Sequence, residues 1–475
     1  MQEAFDVIVI GGGTAGLVTA SGCARLGRRV ALIERVALGG DCLWTGCVPT
    51  KTLVASAKLA HQMRHAGDWG IDPHEPGITP RSVMESMRRQ RAITAKHDDP
   101  AKFRALGIDV IDGDARLVSR NEVEVSGRRL TARDIVIATG SRTAVPPIDG
   151  LAGCGYLDHA SFLDTDDFPH SVVILGGGAI GIEFAQIFRR LGSEVTVVEM
   201  ADDILNKEDP DVIAATRALL TWEGITIRTG CRVTSVRSNA ATKIVSIDTG
   251  GATEEIHATA VFVASGRRGN IENLGLQTAG VRTSRSYIEV DRFLQTSVPR
   301  IWACGDVHGG LQFTHVAAYE AVKLVRNMLF PGRSHVDYTH IPWTIYTDPE
   351  IARIGMTEPE AVTALGAENV KTYRVEMADV DRAVTDRATT GFIKIICDRK
   401  GRIAGAHVMA TSASTLIATI VLARKKGAKI GELAQLVTPY PSFADALGKV
   451  AAQHYQELSG SWIGTLAKRI ARWSQ

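Results

Sequence analysis

The sequence predicts an α/β fold in which one strand–turn–helix–strand unit occurs twice, and three observations support this. The first is Asp6-Val7-Ile8-Val9-Ile10 running into Gly11-Gly12-Gly13-Thr14-Ala15-Gly16, then a helix-compatible stretch to Leu26 and the strand-like Arg29-Val30-Ala31-Leu32-Ile33-Glu34. The second is its repetition as Ser171-Val172-Val173-Ile174-Leu175, Gly176-Gly177-Gly178-Ala179-Ile180-Gly181, a helix, and Glu194-Val195-Thr196-Val197-Val198-Glu199. The offset is 165 residues both from Gly11 to Gly176 and from Glu34 to Glu199. The third is size, because 475 residues exceed one ordinary core and call for several domains.

Each glycine turn has a physical purpose. Gly11 and Gly13 permit a tight turn and close approach of a pyrophosphate to a positive helix N-terminus, and Gly16 completes the motif. Glu34 closes the second strand, where an acid accepts hydrogen bonds from a ribose. Gly176, Gly178, Gly181 and Glu199 repeat that pattern. The chain therefore reads as two Rossmann-like dinucleotide-binding units.

Between them lies Gly39-Gly40-Asp41-Cys42-Leu43-Trp44-Thr45-Gly46-Cys47-Val48-Pro49-Thr50-Lys51. Thiols five residues apart in a regular helix have Cα atoms roughly 8–9 Å apart, beyond the ~7 Å a disulfide tolerates. Gly46 and Pro49 supply the means of distortion. A bridge that closes only through distortion reduces readily and suits repeated opening and closing.

This stretch resembles the redox-active site of the pyridine nucleotide–disulfide oxidoreductases, which include dihydrolipoamide dehydrogenase, glutathione reductase and mercuric reductase. The resemblance runs to about Asp445 and implies FAD at the first unit and NAD at the second. It implies hydride passing from NADH to flavin, from flavin to a Cys42–Cys47 disulfide, and from the dithiol to an acceptor. Cys42 then exchanges with substrate and Cys47 contacts flavin; Lys51 lies beside the flavin with Glu183 as its acidic partner. Ile301-Trp302-Ala303-Cys304-Gly305-Asp306 resembles the late FAD motif, and Gln312, Phe313, Thr314 and His315 follow where relatives line that cofactor. Ala115, Thr139 and Gly140 join the FAD set by the same resemblance, and Val233 and Gly266 the NAD set. From the residues alone, Asp306 also fits a helix N-cap, and Lys51 and Glu183 also fit solvated helix positions. The implied order is an FAD domain over 1–148, an NAD domain inserted over 149–268, a return to the FAD domain over 269–335, and a C-terminal α/β dimerisation domain over 336–475. The second strand ends in Glu199 and is followed by Asp202 and Asp203, with no basic residue before Lys207. A 2′-phosphate is repelled there, so NADH is expected over NADPH.

The sequence departs from its relatives near the C-terminus, in Thr438-Pro439-Tyr440-Pro441-Ser442-Phe443-Ala444-Asp445. Tyr440 stands where dithiol-handling relatives carry an acid–base histidine, and Asp445 stands where they carry its carboxylate partner. A phenol of pKa ~10 accepts protons poorly at neutral pH. Mercuric reductases and soluble transhydrogenases carry tyrosine here. The former also use adjacent C-terminal cysteines and carry an N-terminal metal domain, whereas this sequence ends Ala471-Arg472-Trp473-Ser474-Gln475. The latter lack the full cysteine pair. A soft metal ion such as Hg(II) or Cu(II), needing thiolates and little proton transfer, is the expected acceptor. A lipoamide-like thiol or disulfide is the alternative, followed by a quinone or a second nucleotide reduced directly from flavin.

Composition bounds the setting. Hydrophobic residues at 45%, charged residues at 22% and a net charge of +2 fit a globular protein and give no reason to expect nucleic acid. No secretory signal or membrane span is read, and no His/Cys spacing marks a resident metal site. Seven cysteines form no framework, so Cys23, Cys154, Cys231, Cys304 and Cys397 read as core residues in a reducing cytoplasm. Trp462, Ile463, Leu466, Ile470 and Trp473 recur at near-helical spacing beside Lys468, Arg469 and Arg472. Over 459–475 this suits a helix docked on the protein's own dimer, and it also permits weak membrane-surface contact.

Overall fold

The computed structural model describes residues 3–239 and 242–460. Apart from Ser459 and Gly460, which end a helix at Asp445–Gly460, the basic tail lies outside the described residues. Apolar β-branched runs build the first sheet. Ile108–Asp112, Val30–Glu34, Glu3–Ile10 and Arg128–Ile137 lie in that order as parallel neighbours. Glu122–Val125 and Ala115–Leu117 extend the sheet antiparallel. Ile301–Ala303 returns late in the chain to pair with the end of Arg128–Ile137.

The second unit is a four-stranded parallel sheet ordered Thr226–Arg228, Glu194–Val198, Ser171–Leu175, Ala260–Val263. A three-stranded antiparallel sheet of Arg232–Asn239, Thr242–Asp248 and Thr253–Ala258 accompanies it. The chain enters and leaves this unit through two short strands, Ser141–Thr143 and Arg267–Gly269, which pair antiparallel. We take these crossings as its limits. The third domain is a five-stranded antiparallel sheet in the order Pro342–Ile345, Glu350–Gly355, Ile403–Ala410, Phe392–Asp398, Val370–Glu376. Helices Ala413–Lys425 and Asp445–Gly460 pack their buried residues into its core. The expected α/β class, with two Rossmann-like units and a C-terminal α/β domain, is the observed one.

The repeat is physical as well as sequential. Gly11 and Gly176 adopt φ of +108° and +114°, which side chains rarely enter. A Cβ on Gly16 would stand 1.8 Å from the Gly11 carbonyl oxygen, and one on Gly181 2.0 Å from that of Gly176. Both third glycines therefore let helix and strand close upon each other.

One apolar cluster joins the domains. Leu53 and Ala57 of the Cys47–Arg64 helix meet Ile182, Phe184 and Phe188 of the Ala179–Arg190 helix, along with Ile345, Phe392 and Met409 of the third domain. A buried ion cluster adds a second tie. Lys394 Nζ lies 2.8 Å from Asp209, 2.8 Å from Asp211 and 2.7 Å from Glu358. Because Lys394 and Asp209 are both buried, Lys394→Met would strand an anion in the interior. We predict a loss of about 3–5 kcal/mol, read as a lower unfolding midpoint of the FAD-loaded dimer in denaturant.

Candidate redox site

The cysteine segment is a helix broken in the middle. Gly40–Trp44 ends at Thr45, and Cys47–Arg64 begins after Gly46, so the two thiols sit on consecutive helices. The Asp41 carbonyl closes the break, accepting N–H bonds from Thr45 at 2.9 Å and Gly46 at 2.5 Å. Pro49 falls in the first turn of the second helix, where its missing donor costs nothing. Both thiols are free. A hydrogen bond from Cys42 is the largest influence holding Cys47 below the ordinary thiol value; Thr314 and Lys51 assist and burial opposes. The same bond, with burial behind it, pushes Cys42 upward. Thiolate character therefore concentrates on Cys47, which opens into the cleft and meets Thr314 Oγ1 at 3.3 Å.

One turn beyond, Lys51 Nζ lies 2.9 Å from Glu183 Oε2. The sequence left the two as a pair or as separate solvated residues; the structure brings them together. Tyr346, not singled out from the sequence, completes the group. Its backbone N–H donates to Glu183 Oε1 at 2.7 Å, and its ring lies 4.4 Å from Lys51 Nζ. Burial disfavours the ammonium, but Glu183 outweighs it and holds Lys51 above its ordinary value.

These groups border a cleft of about 2580 Å³ that runs between the units. At one end it is lined by Gly11, Gly13, Glu34, Ala115, Thr139 and Gly140, and further along by Asp306, Gln312, Phe313, Thr314 and His315. Toward the second unit it meets Gly178, Glu183 and Gly266. Gly16, Gly176, Gly181 and Glu199 stand behind that lining and shape the turns. Val233 also stands behind that lining, packed against the core around Leu151 and Val173, two residues after Cys231, whose N–H donates to the Glu199 carbonyl at 3.1 Å.

The two acids do more than await a ribose. Glu34 accepts from Gly12 N at 2.6 Å and Glu199 from Gly177 N at 2.6 Å, so each braces its own glycine turn. Asp306 takes a hydrogen bond from Ser141 Oγ at 2.7 Å. Asp203, counted as a free acid from sequence, is paired at 2.5 Å with Arg217. Nothing local marks that arginine as a partner, because it comes from the Pro210–Trp222 helix. The five separate cysteines are all buried.

The two C-terminal residues each have a separate partner. Tyr440 is exposed, and its hydroxyl donates to Asp381 at 2.7 Å, not to Asp445. Asp445 accepts from Thr438 Oγ1 at 2.6 Å and Ser442 N at 3.0 Å, bracing the start of its own helix. An acid at a first helical turn finds the free N–H groups there before it finds a phenol.

The lining fits FAD at the first unit and a nicotinamide nucleotide at the second, because each glycine cradle opens where a phosphate would lie. Within 4 Å of a Cβ on Gly13 there is only Gly40 Cα, and beside Gly178 there is nothing. Two such cradles, flanking a thiol pair and a lysine–glutamate pair, define a flavin-dependent nucleotide–disulfide oxidoreductase. The chain belongs to the pyridine nucleotide-disulphide oxidoreductase family, whose model matches residues 5–321 and whose dimerisation-domain model matches residues 341–451. It uses FAD and NAD(P)H and is a homodimer. Among its relatives, mercuric reductase from Bacillus cereus is 34% identical over 93% of this chain and 70% of its own. Dihydrolipoyl dehydrogenase from Rhizobium etli is 33% identical over 96% and 99%. The Cu(II) complex of the HOCl-induced flavoprotein disulfide reductase RclA from Escherichia coli superposes with a TM-score of 0.86 at 28% identity, covering 95% of this chain and 100% of that one. Among the described residues, no helix is long and apolar enough to cross a membrane.

The repeat makes its two copies separable by experiment. Gly13→Val should purify colourless, whereas Gly178→Val should purify yellow with a normal flavin spectrum but resist reduction by NADH. Absorbance at the flavin band with and without NADH checks both.

Proposed function

We propose that the enzyme oxidises NADH and delivers the electrons, through Cys42 and Cys47, to a soft metal ion. Bound FAD supplies the relay of two electrons between nicotinamide and thiol pair. Lys51, held by Glu183 and Tyr346, keeps a fixed positive charge beside that relay, which favours an electron-rich partner. Cys47 contributes a thiolate and Cys42 a second sulfur, a pair of soft donors suited to Hg(II) or Cu(II).

One observation carries the choice of acceptor. In place of an imidazole the chain offers Tyr440, whose proton the Asp381 carboxylate holds in place, raising the phenol further above its ordinary value. Such a group donates a proton and does not accept one at neutral pH. Dithiol–disulfide exchange needs a proton taken up and returned; a metal bound to thiolates does not. The mercuric reductase relatives and the Cu(II) complex of the structural neighbour support this reading.

NADH is favoured over NADPH because Glu199, Asp202 and Asp203 follow the second nucleotide strand with no basic residue before Lys207, and Arg217 is already committed to Asp203. A reducing cytoplasm suits five buried thiols beside one working pair.

Steady-state oxidation should be fast with Hg(II) or Cu(II) and slow with lipoamide, glutathione disulfide and quinones; ordinary lipoamide turnover would refute the metal reading. Cys47→Ser should abolish metal reduction while flavin reduction persists, and survival of acceptor turnover would point to direct transfer from flavin. Tyr440→His, with Asp381 at hand as its carboxylate, should raise lipoamide turnover by ~10²–10⁴-fold without altering flavin reduction in stopped flow. A kcat/KM higher for NADPH than for NADH would overturn the nucleotide assignment.

A further inference from the structure

The residue before the first cysteine is a carboxylate held by three segments of the chain. Besides closing the inter-cysteine turn through its carbonyl, Asp41 accepts from Thr45 Oγ1 at 2.5 Å through Oδ1. Its Oδ2 accepts from Arg267 Nη2 at 2.7 Å, and His159 Nε2 lies 3.1 Å from Oδ1. The other His159 nitrogen meets Thr143 Oγ1 at 3.1 Å. Arg267 Nε donates to Ser141 Oγ at 2.8 Å, and that hydroxyl donates to Asp306.

Thr143, Ser141 and Arg267 belong to the two crossing strands, with Arg267 paired in register with Thr143 and Gly269 with Ser141. The turn that carries the thiols is thus bolted to the two strands through which the chain enters and leaves the second nucleotide unit. His159 is buried and Arg267 largely so. With the Asp41 side chain 38% exposed, the ion pair adds little stability of its own. Stability alone therefore does not account for a carboxylate at this position.

We propose that the Asp41–Arg267 pair is a positioning device that sets the redox poise of the Cys42–Cys47 turn and fixes it against the crossing strands. The inference rests on the thiol pair being the working redox centre. Reduction breaks the sulfur–sulfur bond, takes two electrons from the nucleotide by way of the flavin, and takes up one proton, so one sulfur ends as a thiol and the other as a thiolate. A carboxylate next to Cys42 disfavours that new negative charge, and the guanidinium beyond it offsets the effect. The pair together holds the poise between the two extremes, and with the thiols free the turn is closed by the Asp41 carbonyl.

The test uses FAD-loaded dimer equilibrated in buffers of reduced and oxidised dithiothreitol, quenched by alkylation and read by mass. Wild type reduced with NADH must first show Cys42 and Cys47 as newly alkylated; if it does not, the thiol-pair reading itself fails, separately from this inference. Asp41→Asn should then shift the equilibrium about tenfold toward the dithiol, ~30 mV for a two-electron couple. Arg267→Met should shift it about tenfold toward the disulfide. The double variant, which removes both charges of the pair but leaves Asp306 without the guanidinium 3.7 Å away, should fall between the two single variants. Arg267→Lys, keeping the charge, should stay within about threefold of wild type. A purely structural role would move both single variants in one direction or neither. Either result overturns the proposal, as does an Arg267→Lys shift equal to that of Arg267→Met.

Discussion

Lys51 and Glu183 stand 2.9 Å apart across a separation of 132 residues, at the point where three units of the chain meet. Lys51 rides on the helix that starts at Cys47, Glu183 on the helix that starts behind the second glycine turn, and Tyr346 reaches both from the third domain. Three independently built units therefore converge on one charge pair. Placing a lysine and a glutamate in a half-buried position is unfavourable unless each finds the other, and here each also finds Tyr346. The helices behind them are locked by the apolar cluster of Leu53, Ala57, Phe184 and Phe188, so the pair is held by packing and does not have to hold itself together.

The two nucleotide units use one device to form their turns, yet the segments that leave those turns differ. Glu34 and Glu199 each brace a glycine N–H at 2.6 Å, which makes the glycine turn and the strand-ending acid a single object. After Glu34 the chain proceeds directly into the cysteine segment, and a Cβ on Gly13 would meet only Gly40 Cα, at 3.7 Å. After Glu199 it passes through Asp203, neutralised by Arg217, into a helix that Lys394 ties to the third domain. The first copy thus opens beside the thiols, and the second leads to the third domain.

The C-terminal domain places its phenol and its carboxylate on separate partners. Tyr440 and Asp445 occupy positions that in sequence look like a coupled pair, but each has a nearer satisfaction. Asp445 lies where backbone and hydroxyl donors of Thr438 and Ser442 are already aimed, and Asp381 comes from another element to take the phenol. The result is a phenol anchored as a donor, facing outward from a domain that pairs with a second copy.

The sequence alone determined whatever is local or repeated. The two units were legible because periodic apolar runs and a 165-residue offset are properties of the chain itself, and a glycine with φ near +110° leaves a mark no other residue imitates. The thiol pair was legible for the same reason, since its spacing forces a break that Gly46 supplies. Tertiary structure decided the partners. Arg267 lies 226 residues from Asp41, Tyr346 163 from Glu183, and Asp381 59 from Tyr440, and no local pattern joins them. The packing of Val233 against the side-sheet core was likewise invisible in its own segment, because it follows from pairing with Thr242–Asp248. A charged side chain satisfies whichever opposite group the fold brings nearest, and that choice is made only when the sheets have closed.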